Sequence, residues 1–187
     1  MKKCIIIHGG PLTDTPQQPH NLHQLHWHVW VADEVKKHGI SCVTPPMPDP
    51  WRPQYSEWKA VLDNLLVDEE TILVGHSRGA AFLPRWLGDT KQPIRKLILV
   101  APNLRTKSIN PRVQDFYDFD IDATIKNLVP ERMVFISDND EQENIESAEL
   151  LAKKLDCQIF VLPKQGHFIL EDMGTTAFPE LVAAIIK

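Results

Sequence analysis

Short runs of Ile, Val and Leu recur along the chain, separated by longer stretches with apolar residues at helical spacing. Each run has the length of a β-strand. The six runs are Cys4–Ile7, Ser41–Val43, Ile72–Val74, Leu97–Val100, Met133–Ile136 and Ile159–Leu162. The helical stretches are Val29–Lys37, Tyr55–Leu66, Ala80–Leu87, Ile145–Leu155 and Phe178–Ile186. This regular alternation of strand and helix predicts an α/β protein.

The strands that these runs predict are apolar on both faces. Such strands are typical of a parallel sheet buried between two layers of helices, and the segments between the runs are long enough for crossover helices. We therefore predict a three-layer sandwich with a mostly parallel six-stranded sheet and helices on both faces. A chain of 187 residues fits a single domain, 1–187.

Three segments interrupt this alternation. The link from Ala101 to Val129 is long, aromatic and acidic, which predicts a small cap over the sheet edge within residues 103–127. A second long insert spans Pro11–His26. Pro45–Pro53 is rich in proline, and we expect an irregular loop there because proline disrupts the hydrogen bonding of both strands and helices.

Composition and charge narrow the choice of partners and location. The chain is 43% hydrophobic and carries a net charge of −5 without a cluster of Lys and Arg, so we expect no nucleic-acid partner. The first apolar run, Cys4–Ile7, is too short for a signal-peptide core or a membrane span, and we expect no membrane association. Three widely spaced cysteines, Cys4, Cys42 and Cys157, are typical of reduced, packed thiols. Together these features predict a cytoplasmic protein.

The segment Gly75–Gly79 matches G-x-S-x-G and lies between a predicted strand and a predicted helix. The turn at such a site is too tight for side chains on either side of the serine. We expect Ser77 to be strained, exposed and nucleophilic; the alternative is a purely structural glycine turn. The following helix directs its N–H groups at the reacting oxygen, so the Arg78 N–H is a candidate oxyanion donor. The side chains of His76 and Arg78 are expected to be solvated or packed.

A second oxyanion donor is expected in the loop that follows the first predicted strand, His8-Gly9-Gly10-Pro11. Proline has no N–H, which makes Gly10 the expected donor and Gly9 the alternative. Glycine also allows the backbone to approach a substrate closely. The alternative interpretation is that the two glycines only end the strand.

A serine nucleophile needs a base within hydrogen-bond reach, and histidine titrates in the required range. Hydrolases with this motif carry nucleophile, acid and histidine in that order along the chain. His167 is the one histidine of eight that follows Ser77. Asp138 and Asp140 both follow the fifth predicted strand, where either could orient the imidazole. Asp138 could instead stabilise the turn, as aspartates often do.

With these residues in view, the chain resembles the retinoblastoma-binding protein nine/YdeN-like family of compact serine hydrolases. The resemblance covers nearly the full length. The similar stretches are Ile5–Gly10, Trp27–Val35, Met47–Pro50, Gly75–Ala80, Ser137–Asp140 and Gly166–Phe168.

The resemblance implies that Ser77 is the nucleophile, Asp140 the acid and His167 the base, and it therefore favours Asp140 over Asp138. It also implies an α/β-hydrolase fold with the strand order 2-1-3-4-5-6. This chain departs from the family after the acid, where Glu-Gln-Glu-Asn replaces a stretch with Asp-Pro and hydrophobic residues. The insert Pro11–His26 is also particular to this chain.

Four histidines, His20, His23, His26 and His28, form a cluster that could in principle bind zinc or nickel. Three of them are spaced so that they drift around a helix instead of converging, and no Cys, Asp or Glu lies among them. We therefore expect a polar loop there, no metal site, and no cofactor.

These features predict a serine hydrolase that cleaves a small ester or related acyl substrate. Ser77 attacks the acyl carbon, His167 carries the proton, and Asp140 holds His167. The N–H groups of Gly10 and Arg78 stabilise the oxyanion, and water releases the acyl group. One alternative is an acyltransferase with the same chemistry. Another is a non-catalytic module that binds a protein partner through the cap or the histidine-rich loop; the sequence does not identify such a partner.

Overall fold

A six-stranded parallel sheet forms the centre of the fold, as seen in a computed structural model that describes residues 2–10 and 26–187. The strands are β1 (Lys3–Ile7), β2 (Ser41–Val43), β3 (Thr71–His76), β4 (Lys96–Val100), β5 (Glu131–Ser137) and β6 (Gln158–Leu162). Their order is β2-β1-β3-β4-β5-β6, and all neighbouring pairs are parallel. The structure thus confirms the order that the resemblance implied.

The described residues form eight helices. They are α1 (Trp27–Lys37), α2 (Tyr55–Asp63), α3 (Arg78–Thr90), α4 (Pro111–Tyr117), α5 (Ile125–Leu128), α6 (Gln142–Leu155), α7 (Leu170–Met173) and α8 (Pro179–Ile186). The five predicted helices correspond to α1, α2, α3, α6 and α8, whereas the shorter α4, α5 and α7 were not predicted. Within the described ranges, no helix is long and apolar enough to cross a membrane.

The sheet is covered on both faces, which confirms the predicted three-layer sandwich. Successive side chains of a strand point to opposite faces, so Leu73 of β3 packs in one core with α2, α3 and α6, while its neighbours Ile72 and Val74 pack in a second core with α1 and α8. Trp58 anchors the first core and Trp27 the second, and both side chains are fully buried.

The predicted cap within residues 103–127 contains α4 and the start of α5. Val113 and Phe116 of α4 are buried. The Phe116 ring packs edge-on against Trp58 of α2, with 5.0 Å between ring centroids, and lies 6.3 Å from the ring of Phe82 of α3. The segment is therefore packed onto the layer of α2 and α3. Its function as a cap stays a prediction.

The remaining predictions for local structure concern the proline-rich loop, the cysteines and the long insert. Pro45–Pro53 contains no helix or strand, which confirms the irregular loop. Cys4 and Cys42 are buried opposite each other on β1 and β2, and all three cysteines are free thiols. Most of the insert Pro11–His26 lies outside the described residues.

Candidate active site

The predicted site residues meet at the carboxyl edge of the sheet. Parallel strands end at the same edge, and ligands of open α/β sheets bind in the crevice outside it. Ser77 follows β3, Asp140 follows β5, and His167 lies in the loop after β6. Shared strand direction therefore brings together side chains that are 90 positions apart in the sequence.

The turn at Ser77 is strained in the way that the motif predicts. Ser77 has φ 54° and ψ −114°, a region that costs a residue with a Cβ atom free energy. The Ser77 N–H donates to the Val100 carbonyl at 2.9 Å, which ties the turn to the end of β4. A Cβ atom on Gly75 would lie 2.7 Å from Ala80, and one on Gly79 would overlap the Ile7 carbonyl oxygen. Both flanking positions therefore require glycine.

The predicted exposure of Ser77 is wrong, because the residue is only 5% exposed. Gly9 lies against it so closely that a Cβ atom there would be 2.9 Å from the Ser77 Cβ. The Asn103 N–H donates to the Ser77 carbonyl at 3.3 Å. The loops after β1 and β4 thus close over the turn, since all of these strands end at one edge.

Ser77, His167 and Asp140 form a continuous chain of hydrogen bonds. The His167 Nε2 lies 2.8 Å from the Ser77 Oγ. On the other side of the ring, the His167 Nδ1 lies 3.0 Å from Asp140 Oδ2 and 3.2 Å from Oδ1. This geometry allows Nδ1–H to donate to the carboxylate while Nε2 accepts the serine proton. Tautomers are assigned from these contacts.

The two candidate aspartates have different contacts. Asp138 Oδ1 accepts the Lys164 N–H at 2.7 Å and so fastens the loop that carries the histidine. Asp140 contacts the imidazole and also accepts the Glu141 N–H at 2.7 Å. The structure therefore places Asp140, and not Asp138, beside His167.

Asn144 is a site residue that sequence reasoning missed. It lies in the first turn of α6 and is buried, and its Nδ2 donates to Asp140 Oδ1 at 2.8 Å. The same nitrogen is 3.1 Å from His167 Nδ1. Asn144 thus holds the carboxylate against the imidazole. The one sequence feature that could have pointed to Asn144 is its position in the Glu-Gln-Glu-Asn stretch, where this chain departs from the family.

His76 is packed and not solvated, and it holds the backbone of the histidine loop. Its Nε2–H donates to the His167 carbonyl at 2.9 Å. Burial lowers the pKa of His76 well below its ordinary value, and the nearby His167 lowers it further. The ring is therefore neutral near pH 7. The Trp27 Nε1–H donates to the Phe168 carbonyl at 3.0 Å, and the Asp172 carboxylate accepts the His167 N–H at 2.7 Å.

The two predicted oxyanion segments both lie beside Ser77, while the donor roles of the Gly10 and Arg78 N–H groups stay predictions. Gly9 contacts Ser77, whereas Gly10 packs against the Pro50 carbonyl and the Arg78 guanidinium. The Arg78 N–H belongs to the first turn of α3, where N–H groups have no acceptor within the helix. The space around the Ser77 hydroxyl therefore lies between the loop after β1 and the N-terminus of α3.

The histidine cluster considered as a metal site lies partly outside the described residues, which exclude His20 and His23. His26 Nδ1 accepts the Leu170 N–H at 3.2 Å, and burial lowers its pKa. The His26 and His28 rings are 5.9 Å apart. Among residues 2–10 and 26–187, no group of three or more His, Cys, Asp or Glu side chains is arranged to hold a metal ion.

Comparison with solved structures shows the same fold in known proteins. The ydeN gene product from B. subtilis superposes with a TM-score of 0.84 at 24% identity, and the match covers 99% of this chain and 97% of that one. Est1E from Butyrivibrio proteoclasticus, solved with bound ferulic acid, has a TM-score of 0.71 at 16% identity over 100% of this chain and 87% of that one. These likenesses establish the α/β-hydrolase fold.

Comparison of sequences establishes the family. Serine hydrolase RBBP9 of Rattus norvegicus is 26% identical to this chain over 162 residues, which are 85% of this chain and 84% of that protein. The family model for serine hydrolases matches residues 20–186. The resemblance to RBBP9/YdeN-like proteins is thereby confirmed. Since the family model matches most of the chain, this chain belongs to the serine hydrolase family.

Proposed function

We propose that this protein hydrolyses a small ester or related acyl substrate through a covalent acyl-enzyme, with Ser77 as nucleophile, His167 as base and Asp140 as orienting acid. The observation that carries the proposal is the hydrogen-bond chain at the carboxyl edge. Its two links are 2.8 Å from His167 Nε2 to Ser77 Oγ and 3.0 Å from His167 Nδ1 to Asp140 Oδ2. A nucleophile, a base and an orienter within such reach are the requirements of nucleophilic acyl transfer.

In the first half of the reaction, His167 Nε2 takes the proton of the Ser77 hydroxyl as Oγ bonds to the acyl carbon. The imidazolium that forms is stabilised by the Asp140 carboxylate. The carbonyl oxygen gains negative charge, and the N–H groups of Gly10 and Arg78 are the donors assigned to it. A single donor of this kind contributes about a hundred-fold to a thousand-fold in rate.

In the second half, the tetrahedral intermediate collapses and the bond to the alcohol breaks. His167 gives its proton to the leaving oxygen, so the alcohol departs neutral and the acyl group stays on Ser77. A water molecule then attacks the acyl carbon while His167 takes one of its protons. Collapse of this second intermediate returns the proton to Ser77 Oγ and releases the carboxylic acid. Apart from the substrate and water, these steps use only side chains and backbone of the chain itself.

A fluorophosphonate probe tests the proposal, because the serine oxygen attacks phosphorus and expels fluoride only where the hydroxyl is activated. We expect the native protein to be labelled at Ser77 and Ser77→Ala to remain unlabelled. Labelling that persists in Ser77→Ala would contradict Ser77 as the nucleophile, and no labelling of the native protein would contradict the proposal and favour the binding-module alternative.

A series of 4-nitrophenyl esters of increasing acyl length then measures the activity directly. We expect release of 4-nitrophenol by the native protein, and its loss in Ser77→Ala to the level of the uncatalysed reaction. Adding an alcohol or an amine to the same assay separates hydrolysis from acyl transfer. An acyl product that forms mainly on the added alcohol or amine would assign the protein as an acyltransferase.

A further inference from the structure

The Arg78 side chain is an unusual cation because it is buried beside the nucleophile without a counter-charge among residues 2–10 and 26–187. The residue is only 6% exposed. Its Nε–H donates to the Tyr117 hydroxyl at 2.8 Å, and its Nη1 donates to the Pro50 carbonyl. Both acceptors are neutral. Within the part of the chain that the structure describes, Arg78 forms no ion pair with a carboxylate.

Such an arrangement is unfavourable in the protein alone. A guanidinium keeps its charge at every accessible pH and offers five N–H donors. Burying a charge without an opposite charge costs free energy that neutral acceptors offset only in part. Tyr117 does not supply the charge, since burial raises the pKa of its phenol despite the opposing effect of Arg78. Arg78 therefore keeps a positive charge and unused N–H donors with which it can bind an anion.

Arg78 lines a cavity that is large enough to receive an anionic group. The cavity has a volume of about 380 Å³ and is lined by Arg78, Tyr117 and Asn103, together with side chains nearer the surface. Two of its lining residues adjoin the nucleophile: Arg78 follows Ser77 directly, and the Asn103 N–H donates to the Ser77 carbonyl at 3.3 Å. This volume is at the small end of the range for ligand sites, which suits a short acyl or alcohol group.

The other charges around the cavity do not neutralise Arg78. Lys107 pairs with Glu143 at 3.4 Å. Arg105 pairs with Glu146 at 3.0 Å. Glu141 also lines the cavity but is exposed to solvent, where water and salt screen its charge. Arg78 is thus the buried charge of the cavity wall.

Building on the proposed esterase function, we infer that this cavity binds a carboxylate carried by the substrate, and that the Arg78 side chain is the specificity-determining residue that pairs with it. The planar fork of a guanidinium matches the two oxygens of a carboxylate. The substrate is then an ester whose acyl or alcohol part bears a free carboxylate a few bonds from the reacting carbonyl. A half-ester of a short dicarboxylic acid is the simplest example.

Two chromogenic esters of similar length test this inference: 4-nitrophenyl hydrogen glutarate, which is anionic, and 4-nitrophenyl hexanoate, which is neutral. The measured quantity is the ratio of their kcat/KM values within each variant, since a general loss of activity cancels from it. We expect Arg78→Gln to lower the ratio about 10-fold to 100-fold, the effect of losing a charged hydrogen bond. Arg78→Lys should retain part of the preference because it keeps the charge.

Arg85→Gln is the matched control, because Arg85 lies on the same helix, α3, but stacks on the Tyr55 ring away from the cavity. Its ratio should equal that of the native protein. Circular dichroism and thermal melting of each variant establish that it is folded. A ratio that is unchanged in Arg78→Gln, in protein that still hydrolyses the neutral ester, would overturn the inference and leave the esterase proposal intact.

A binding measurement keeps the two proposals separable. In Ser77→Ala, which is not expected to turn over ester, calorimetric titration with 4-nitrophenyl hydrogen glutarate should show binding that weakens about 10-fold or more when Arg78→Gln is added. If no ester is hydrolysed by the native protein, the esterase proposal fails while this titration still decides the function of Arg78. Equal affinity in the single and double variants would contradict anion recognition by Arg78.

Discussion

Asp138 and Asp140 lie in one short turn, yet they act on different parts of the site. Asp138 accepts a backbone N–H from Lys164 and so fixes where the β6 loop runs. Asp140 accepts from the His167 imidazole, and its side chain is only 4% exposed. Asp138 therefore makes a structural contact, whereas Asp140, two residues later, contacts the proposed base, because the chain turns between them.

This difference predicts unequal effects of the same substitution. Asp140→Asn should lower kcat about a thousand-fold to ten-thousand-fold, because an amide can no longer hold the imidazole in the tautomer that accepts the serine proton. Asp138→Asn keeps an oxygen for the Lys164 N–H, and we expect it to lower kcat less than about ten-fold. Hydrolysis of a 4-nitrophenyl ester measures both. The assignment would be contradicted if Asp138→Asn were the more damaging change.

At the scale of elements, the site depends on how closely α3 approaches β1. Gly79 in the first turn of α3 rests on the carbonyl oxygen of Ile7, the last residue of β1. A side chain at this position would push the helix away from the sheet, since the atoms that it meets belong to backbone. The close packing of α3 on β1 therefore depends on glycine at position 79, because any side chain there would separate the helix from the strand.

Two glycine-to-alanine substitutions in the same helix test this packing. Gly79→Ala should lower the free energy of unfolding by about 3 kcal/mol, the upper part of the usual range for overpacking. Gly88→Ala meets only the Asp122 side chain at 3.3 Å, and it should change stability by less than about 1 kcal/mol, with the helix preference for alanine opposing any crowding. Urea denaturation of both variants makes the comparison. Similar losses of unfolding free energy in the two variants would show that the close contact between Gly79 and Ile7 does not determine the effect.

For the molecule as a whole, the buried His76 ring makes stability depend on pH. Burial lowers its pKa well below the ordinary value of 6.5. Below that ordinary value, the unfolded chain binds a proton at this position while the native protein does not until the pH reaches the lowered value. The contribution of His76 to stability is thus fully present at neutral pH and falls as the pH falls.

His76→Gln separates this effect from that of neighbouring histidines such as His167 and His26, which stay in place. Glutamine retains a side-chain N–H donor for the His167 carbonyl but does not titrate. We expect the variant to lose less stability than the native protein between about pH 7.5 and about pH 5, by as much as about 1.4 kcal/mol per pH unit. Urea unfolding at each pH provides the measurement. Parallel losses in both proteins would show that His76 is not responsible.

The helices and strands were largely predictable because their signals are local. Each apolar run of the sequence became a strand, and the glycines beside Ser77 indicated the turn from β3 to α3. The first residue of β4 was harder to predict from the sequence. The predicted strand begins at Leu97, whereas β4 begins at Lys96, which is fully buried; its Nζ donates to the Ala184 carbonyl and lies 3.0 Å from Glu131. A lysine can be buried at position 96 only because Glu131 and the Ala184 carbonyl, which are distant in sequence, bind its ammonium group.

The sequence by itself determined the α/β class, the nucleophile candidate Ser77 and the base candidate His167, since periodicity, turn chemistry and chain order are properties of residues close together or of their order. Resemblance favoured Asp140, and the tertiary structure then set it beside His167. Only the structure decided that Ser77 is buried, that Asn144 holds the acid, and that Arg78 has no counter-charge among the residues that the structure describes. Those properties depend on which loops lie together at the carboxyl edge of the sheet. These loops lie together because strands that are far apart in the chain pair in parallel.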